Sequence, residues 1–414
     1  VLARKLSIGT FLWIFTISQL AIITVYLSYR AETFVTFNDY LQSVKYITLL
    51  LLILSITVAI PSWKQIINYQ PIKYIFTAQI LILYFAMVFH TDLKAIKSPT
   101  FILMLVLTIF VFIYQIDIKT INLVSITIAI TNFILVTSQI AKVIPVAQDN
   151  IREGLVLISD RPTGLLFNAF AMSYASVITF AISAYSLKKK ILILLNILAI
   201  IFSLLSILFS ATRTPFILVV IIGFLIYFQD KKLIQKNWKT IIIIVPTIFI
   251  IFPLVSIIWG NQIGNNNLAT LNGRTQLWSC VTSRWQEFLP FGVGVQAAFP
   301  NGFCSDGEWF SKLRHPENMF LLNYVESGFL GLIALVSLFV ITFWASGKAL
   351  AKGSALPMAI TATFFMSSIF YVPLFHYLPF LENRTANRGV FNFFLFTLLW
   401  MTILSLFSKQ KSKQ

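Results

Sequence analysis

Long apolar runs separated by short polar stretches dominate the chain, near residues 6–29, 40–60, 72–90, 98–117, 119–141, 164–187, 240–259, 319–345, 355–375 and 389–408. Each approaches the roughly 20 residues that a helix needs to cross the hydrocarbon core of a bilayer. The apolar stretch 190–229 is interrupted by Ser210-Ala211-Thr212-Arg213-Thr214-Pro215. As one helix it would be roughly 60 Å long, twice the hydrocarbon thickness, so it predicts two helices and a turn. The pattern predicts an all-α, polytopic integral membrane protein, a single transmembrane domain over residues 1–414 with about twelve spans. One long polar loop, 260–318, falls between the ninth and tenth spans, and 142–165 is the next in length. No internal repeat is visible. The first apolar run is too long for a cleavable signal peptide and has no small-residue cleavage site, so none is expected.

Composition and charge fix the class and orientation. Apolar residues make up 58% of the chain and charged residues 11%, with a mean hydropathy of +0.86. Soluble domains carry about a quarter charged residues, so composition excludes an ordinary soluble enzyme. With both termini inside, the cytoplasmic segments hold 17 of the 31 basic residues, including Lys64, Lys73, Lys119, Lys188–Lys190, Lys231 and Lys232, and only Asp117 and Asp230 among the 14 acids. The positive-inside rule supports that orientation. The net charge of +17 therefore reflects membrane topology, and no nucleic-acid partner is inferred.

Arginine is distributed differently from lysine. Only Arg4 is expected inside, whereas Arg30, Arg152, Arg161, Arg213, Arg274, Arg284, Arg314, Arg384 and Arg388 are expected outside. Orientation requires positive charge but has no use for a guanidinium, whose planar fork of donors suits bidentate phosphate or carboxylate binding. The competing reading is pairing with external acids and lipid headgroups. Arg213 is the sharpest case: it sits in the turn just before Thr214-Pro215, which is expected to start the next helix, at a depth costly for an unpartnered charge.

The long loop holds both cysteines, Cys280 and Cys304. In an oxidising compartment a structural bridge is the favoured reading, with two buried thiols as the alternative. Two Cys and one His do not make a zinc site, and no metal or other cofactor is expected. After Asn272-Gly273-Arg274, the residues Leu277, Trp278, Val281 and Trp285 fit a short amphipathic helix along the outer surface, with Arg274 on the face of Trp278. Leu289-Pro290-Phe291-Gly292-Val293-Gly294 reads as a backbone turn. At the loop's end, Pro316 is expected to open the next helix, placing His315 at its N-cap, where free N–H groups attract anions. Glu326, ten residues on, would lie about 15 Å into the membrane, near the midplane and in a structural role. Gly328 and Gly331 would there allow close helix packing. Glu382, Arg384, Arg388 and His376 cluster in the last external loop.

The order Ser210-Ala-Thr-Arg213-Thr, Asn272-Gly-Arg274, Pro290-Phe-Gly-Val-Gly294, His315-Pro-Glu-Asn318 and Glu326-Ser-Gly328 resembles the O-antigen ligase and polymerase superfamily over roughly residues 160–345. The resemblance implies a metal-independent GT-C-type glycosyltransferase in the bacterial inner membrane, with its active site facing the periplasm. Its donor would be an undecaprenyl-diphosphate-linked glycan, and its acceptor a glycan or lipid A–core. It implies that Arg213 and Arg274 hold the donor diphosphate and that His315 acts on the acceptor hydroxyl. Many members carry a second His where this chain has Glu317, so either His315 or Glu317 takes the proton. Arg161, Arg314, Arg384 and Arg388 are further candidates for substrate binding. A chain-length regulator and membrane lipids complete the expected partners.

A polymerase is favoured because His-Pro followed by an amide at the fourth position resembles many polymerase sequences. An O-antigen ligase, a protein O-oligosaccharyltransferase, and a lipid-linked glycan flippase or transporter are the alternatives. The last of these predicts internal repeats and paired broken helices, which the pattern does not show.

Overall fold

The computed structural model describes residues 118–143, 162, 169–210, 212–262, 274–293 and 318–370. The spans expected near 6–29, 40–60, 72–90, 98–117 and 389–408 lie outside the described residues. Among those described there are no strands. The helices are α1 (Ile118–Ile140), α2 (Ala169–Lys188), α3 (Ile193–Phe209), α4 (Arg213–Phe228), α5 (Lys232–Lys236), α6 (Trp238–Gln262), α7 (Arg274–Ser283), α8 (Met319–Ala351) and α9 (Leu356–Phe370). Among the described residues, three segments are long and apolar enough to cross a membrane: Ile121–Ile140, Trp238–Trp259 and Ser327–Ala351.

The centre of the bundle is α2, packed against α1, α3, α4 and α9. Every residue from Met172 to Ser183 is buried. A helix shielded on all sides has no need of strong hydropathy, and α2 is accordingly rich in Ala, Ser and Thr. Small side chains let neighbours approach, and hydroxyls join helices where no water competes. Thr179 Oγ1 and Ser203 Oγ lie 2.7 Å apart between α2 and α3, and Asn132 Nδ2 donates to Ser176 Oγ at 3.2 Å between α1 and α2. On α3 the usual amphipathic order is inverted. Asn196, Ala199, Ser203 and Ser206 are buried, while Leu194, Leu195, Ile197, Ile201, Leu204 and Leu208 are outward. An apolar exterior around a polar-lined interior suits lipid as the surrounding medium.

The stretch 190–229 is two helices, as its length demanded, and the chain reverses at 210–212. Both α3 and α4 pack on α2. The C-terminal ends of α2 and α4, on the side expected to be inner, meet where Lys188 Nζ donates to the carbonyls of Ile226 (3.1 Å) and Tyr227 (2.5 Å) and pairs with Asp230 at 2.8 Å. A cation on terminal carbonyls complements the helix dipole. At the same end Ala355 N–H donates to Gln229 Oε1 at 3.0 Å, which seats the start of α9. Arg213, at the other end of α4, lies about 24 Å away by helical rise. Because α9 starts at the inner end, its last turn reaches the outer one. There Asn318 Nδ2 donates to the Ile369 carbonyl at 3.1 Å. Arg213 and Asn318 therefore share one end of the bundle.

Helix α8 departs from expectation in two ways. It opens at Met319, not at Pro316: Asn318 is the N-cap, its Oδ1 accepting from the N–H groups of Phe320 and Leu321, both at 3.0 Å. An asparagine cap satisfies two first-turn donors that a proline start would leave free. Nor is 319–345 one continuous span. Gly328, at φ 66° and ψ −164°, breaks the helix. The membrane-length apolar segment begins at Ser327, directly after Glu326.

The break is filled by the 290–293 turn. Val293 N–H donates to the Val325 carbonyl at 2.8 Å, and Phe329 N–H donates to the Pro290 carbonyl at 3.0 Å. Interrupting the helix frees backbone donors and acceptors, and the turn satisfies them. The space at Gly328 thus admits a turn, where helix packing was expected.

Candidate functional site

The end of the bundle that carries Arg213 and Asn318, expected to be the outer one, gathers the residues with chemical potential. The Ser210–Thr212 turn folds on itself: Ser210 Oγ donates to the Ile207 carbonyl at 2.7 Å and contacts Thr212 Oγ1, and Thr212 N–H donates to Ser210 Oγ at 3.3 Å. Thr212, extended at φ −93° and ψ 120°, is the N-cap of α4, yet its side chain makes no capping bond to the helix. The helix thus begins at Arg213, two residues before the expected Pro215. Pro215 falls in the first turn, where its missing N–H costs nothing. No acidic residue stands in that turn. An exposed Arg213 on an uncapped helix start is doubly cationic, because the guanidinium adds to the positive end of the helix dipole.

Arg274 opens α7 and is 5% exposed. It shares the inward face with Val281, seven residues on and 1% exposed. The helix stops at Ser283, so Trp285 lies in the following 3-10 turn (Trp285–Phe288) and is half exposed, unlike the continuous stripe expected. That turn is fastened to α8: Tyr324 Oη donates to the Trp285 carbonyl at 2.6 Å, and the rings of Phe288 and Tyr324 meet edge to face. Arg284, also in the arginine set, forms a bidentate pair with Glu287 at 2.7 Å. It is thereby engaged on the surface.

One residue that the sequence did not single out lies near the two arginine-bearing elements. Tyr174, 1% exposed near the start of α2, lies within electrostatic reach of the Thr214 side chain and the Arg274 guanidinium. Thr214 follows Arg213 directly. The only signal in the sequence was a tyrosine near the outer end of an otherwise small-residue span, a pattern that interfacial anchoring explains as well.

An apolar groove of about 480 Å³ runs along the same end, lined by Val281, Trp285, Leu289, Phe320, Tyr324 and Phe329 among others. Cys280 is disulfide-bonded; Cys304, the only other cysteine, lies outside the described residues. So do His315, Glu317, Arg161, Arg314, Arg384 and Arg388. Among the described residues no group of three or more His, Cys, Asp or Glu could hold a metal ion.

A search among curated proteins finds no match to the chain. Residues 198–336, about a third of the chain, match the family model described as O-antigen ligase. That match contains Arg213, Arg274 and His315, and it supports a likeness of this stretch to the O-antigen ligase and polymerase superfamily.

Proposed function

We propose that the chain is a periplasm-facing polymerase of surface polysaccharide in the bacterial inner membrane. In this reading it moves a glycan from an undecaprenyl diphosphate carrier to the hydroxyl of a second lipid-linked repeat. The glycosidic carbon loses its bond to the diphosphate oxygen and gains one to the acceptor oxygen. The acceptor proton passes to His315 or Glu317, and the carrier leaves as a diphosphate anion.

The observation that carries this reading is Arg274, a buried cation that opens α7 within the stretch matching the O-antigen ligase model. Negative charge grows on the departing diphosphate in the transition state, and preorganised guanidiniums stabilise it without a metal ion. The α4 start, with no acid in its first turn and no capping side chain, adds N–H donors to that site. The apolar groove flanks α7, with Val281 about 10 Å along the helix from Arg274, and suits the hydrocarbon chain of a lipid donor. An imidazole, with a usual pKa near 6.5, is suited to accept the hydroxyl proton near neutral pH.

Deletion in the native host, followed by lipopolysaccharide gel analysis, separates the activities. A single-repeat ladder indicates a polymerase. Loss of all capping, with polymer accumulating on the carrier, indicates a ligase. Transfer by the purified protein should survive EDTA, and loss on chelation with recovery on adding Mg²⁺ would overturn the metal-independent mechanism.

A further inference from the structure

We propose that the break in α8 holds a subsite for a sugar hydroxyl of the glycan, with Asn323 Oδ1 and the Ser327 hydroxyl as its two contacts. The inference rests on the reading of the chain as a glycosyltransferase that takes a lipid-linked glycan. It adds where a hydroxyl of that glycan is recognised, at residues separate from the arginines and from His315.

Asn323 is 5% exposed, and its Oδ1 is buried with no hydrogen-bond partner among the described residues. A buried amide oxygen without a donor is destabilising, so its place in a folded protein needs a reason. Ser327, four residues on, is also buried. The two side chains converge on one point: the position a Cβ would take on Gly331 lies 2.8 Å from Asn323 Oδ1 and 3.2 Å from Ser327 Oγ. The two oxygens therefore stand within about 6 Å of each other, a gap that one hydroxyl spans with O···O contacts of about 2.8 Å. The chemistry matches as well. An amide oxygen only accepts, a serine hydroxyl can donate or accept, and a sugar hydroxyl can give its hydrogen to the first while accepting from the second. The broken backbone explains the convergence, because Gly328 interrupts α8 between Ser327 and Gly331, and a Cβ on Gly331 would collide with that of Ser327. The 290–293 turn holds the break in place through its bonds to Val325 and Phe329, so the two contacts are set before a ligand arrives. Tyr324, the next residue, lines the apolar groove, and Asn323 lies about 6 Å by helical rise from Met319, where α8 leaves the segment bearing His315 and Glu317. A resident water offers the same hydroxyl chemistry, and the test separates the two.

The test measures equilibrium binding to the purified full chain in detergent with two ligands: undecaprenyl diphosphate bearing the host's repeat unit, and undecaprenyl diphosphate alone. Asn323→Leu keeps the size of the side chain and removes the acceptor. It should weaken the glycan-bearing ligand roughly three- to tenfold, the share of one hydrogen bond, and leave the bare diphosphate unchanged. Its melting temperature should hold or rise, because an unpartnered buried oxygen is gone. Ser327→Ala removes the second contact with less change in packing and should weaken the same ligand selectively, which keeps the inference testable where Asn323→Leu fails to fold. Wild-type affinity for the glycan-bearing ligand in the folded variants would overturn the inference, and with a lowered melting temperature it would assign the oxygens to a resident water. Equal weakening of both ligands would overturn it too, since a sugar contact cannot act on a ligand without sugar. Failure of both variants to fold would make the pair structural and overturn it likewise. A wild type that binds neither ligand would instead remove the lipid-linked donor reading on which the inference rests.

Discussion

The carbonyl of Pro290 accepts the amide hydrogen of Phe329 at 3.0 Å, and a Cβ placed on Gly328 would stand 2.1 Å from that same oxygen. The 290–293 turn and the broken helix thus meet backbone to backbone, with no room between them for a side chain. Gly328 also holds φ 66° and ψ −164°, a conformation essentially confined to glycine. Gly328→Ala should cost about 1–3 kcal/mol in backbone strain alone, with the steric clash adding to it. The variant should melt well below the wild type in detergent and lose transfer. An unchanged melting temperature would show that the turn does not seat in the break.

Arg213 and Arg274 should fail differently from lysine replacements. Ala at either position is expected to abolish transfer with membrane expression intact. Lys should rescue poorly, because it keeps the charge but loses the fork of donors. Donor-turnover assays on membranes decide this. Full activity of both Lys variants would reduce the requirement to charge alone, and full activity of both Ala variants would remove these residues from the site.

His315→Ala should bind donor but transfer 10²–10⁴-fold more slowly, roughly the usual cost of losing a general base. Glu317→Gln should be milder if Glu317 only orients the imidazole or the acceptor. The reverse ranking in single-turnover measurements would make Glu317 the base while leaving the reaction class standing. The Asn318 cap sharpens the comparison. It fixes the start of α8 at Met319, four residues after His315.

Cys280 and Cys304 should be joined. Non-reducing mass spectrometry is expected to show linked peptides enclosing a loop of about two dozen residues, worth roughly 3 kcal/mol in the chain-entropy account. Two alkylatable thiols in the purified, unreduced protein would refute the pairing. Reduction should lower the melting temperature.

The sequence by itself determined the helical class, the membrane environment and the split of 190–229. Each follows from the length and polarity of apolar runs, which a bilayer constrains strictly. It also made Arg213 and Arg274 conspicuous, because a guanidinium outside has a purpose that orientation does not explain. The start of α8 was misplaced because Pro316 and Asn318 are both good starters, and only the seating of Asn318 on Ile369 selects between them. The break at Gly328 was hidden for a similar reason. A glycine in an apolar run reads as a helix-packing position unless a turn 35 residues upstream is known to dock there. Tyr174 was the least visible of all. It is buried among helices distant in sequence, and packing between such helices leaves no periodic trace. Tertiary structure decided these points because backbone satisfaction and buried polar pairing are settled between elements, whereas hydropathy is written along one.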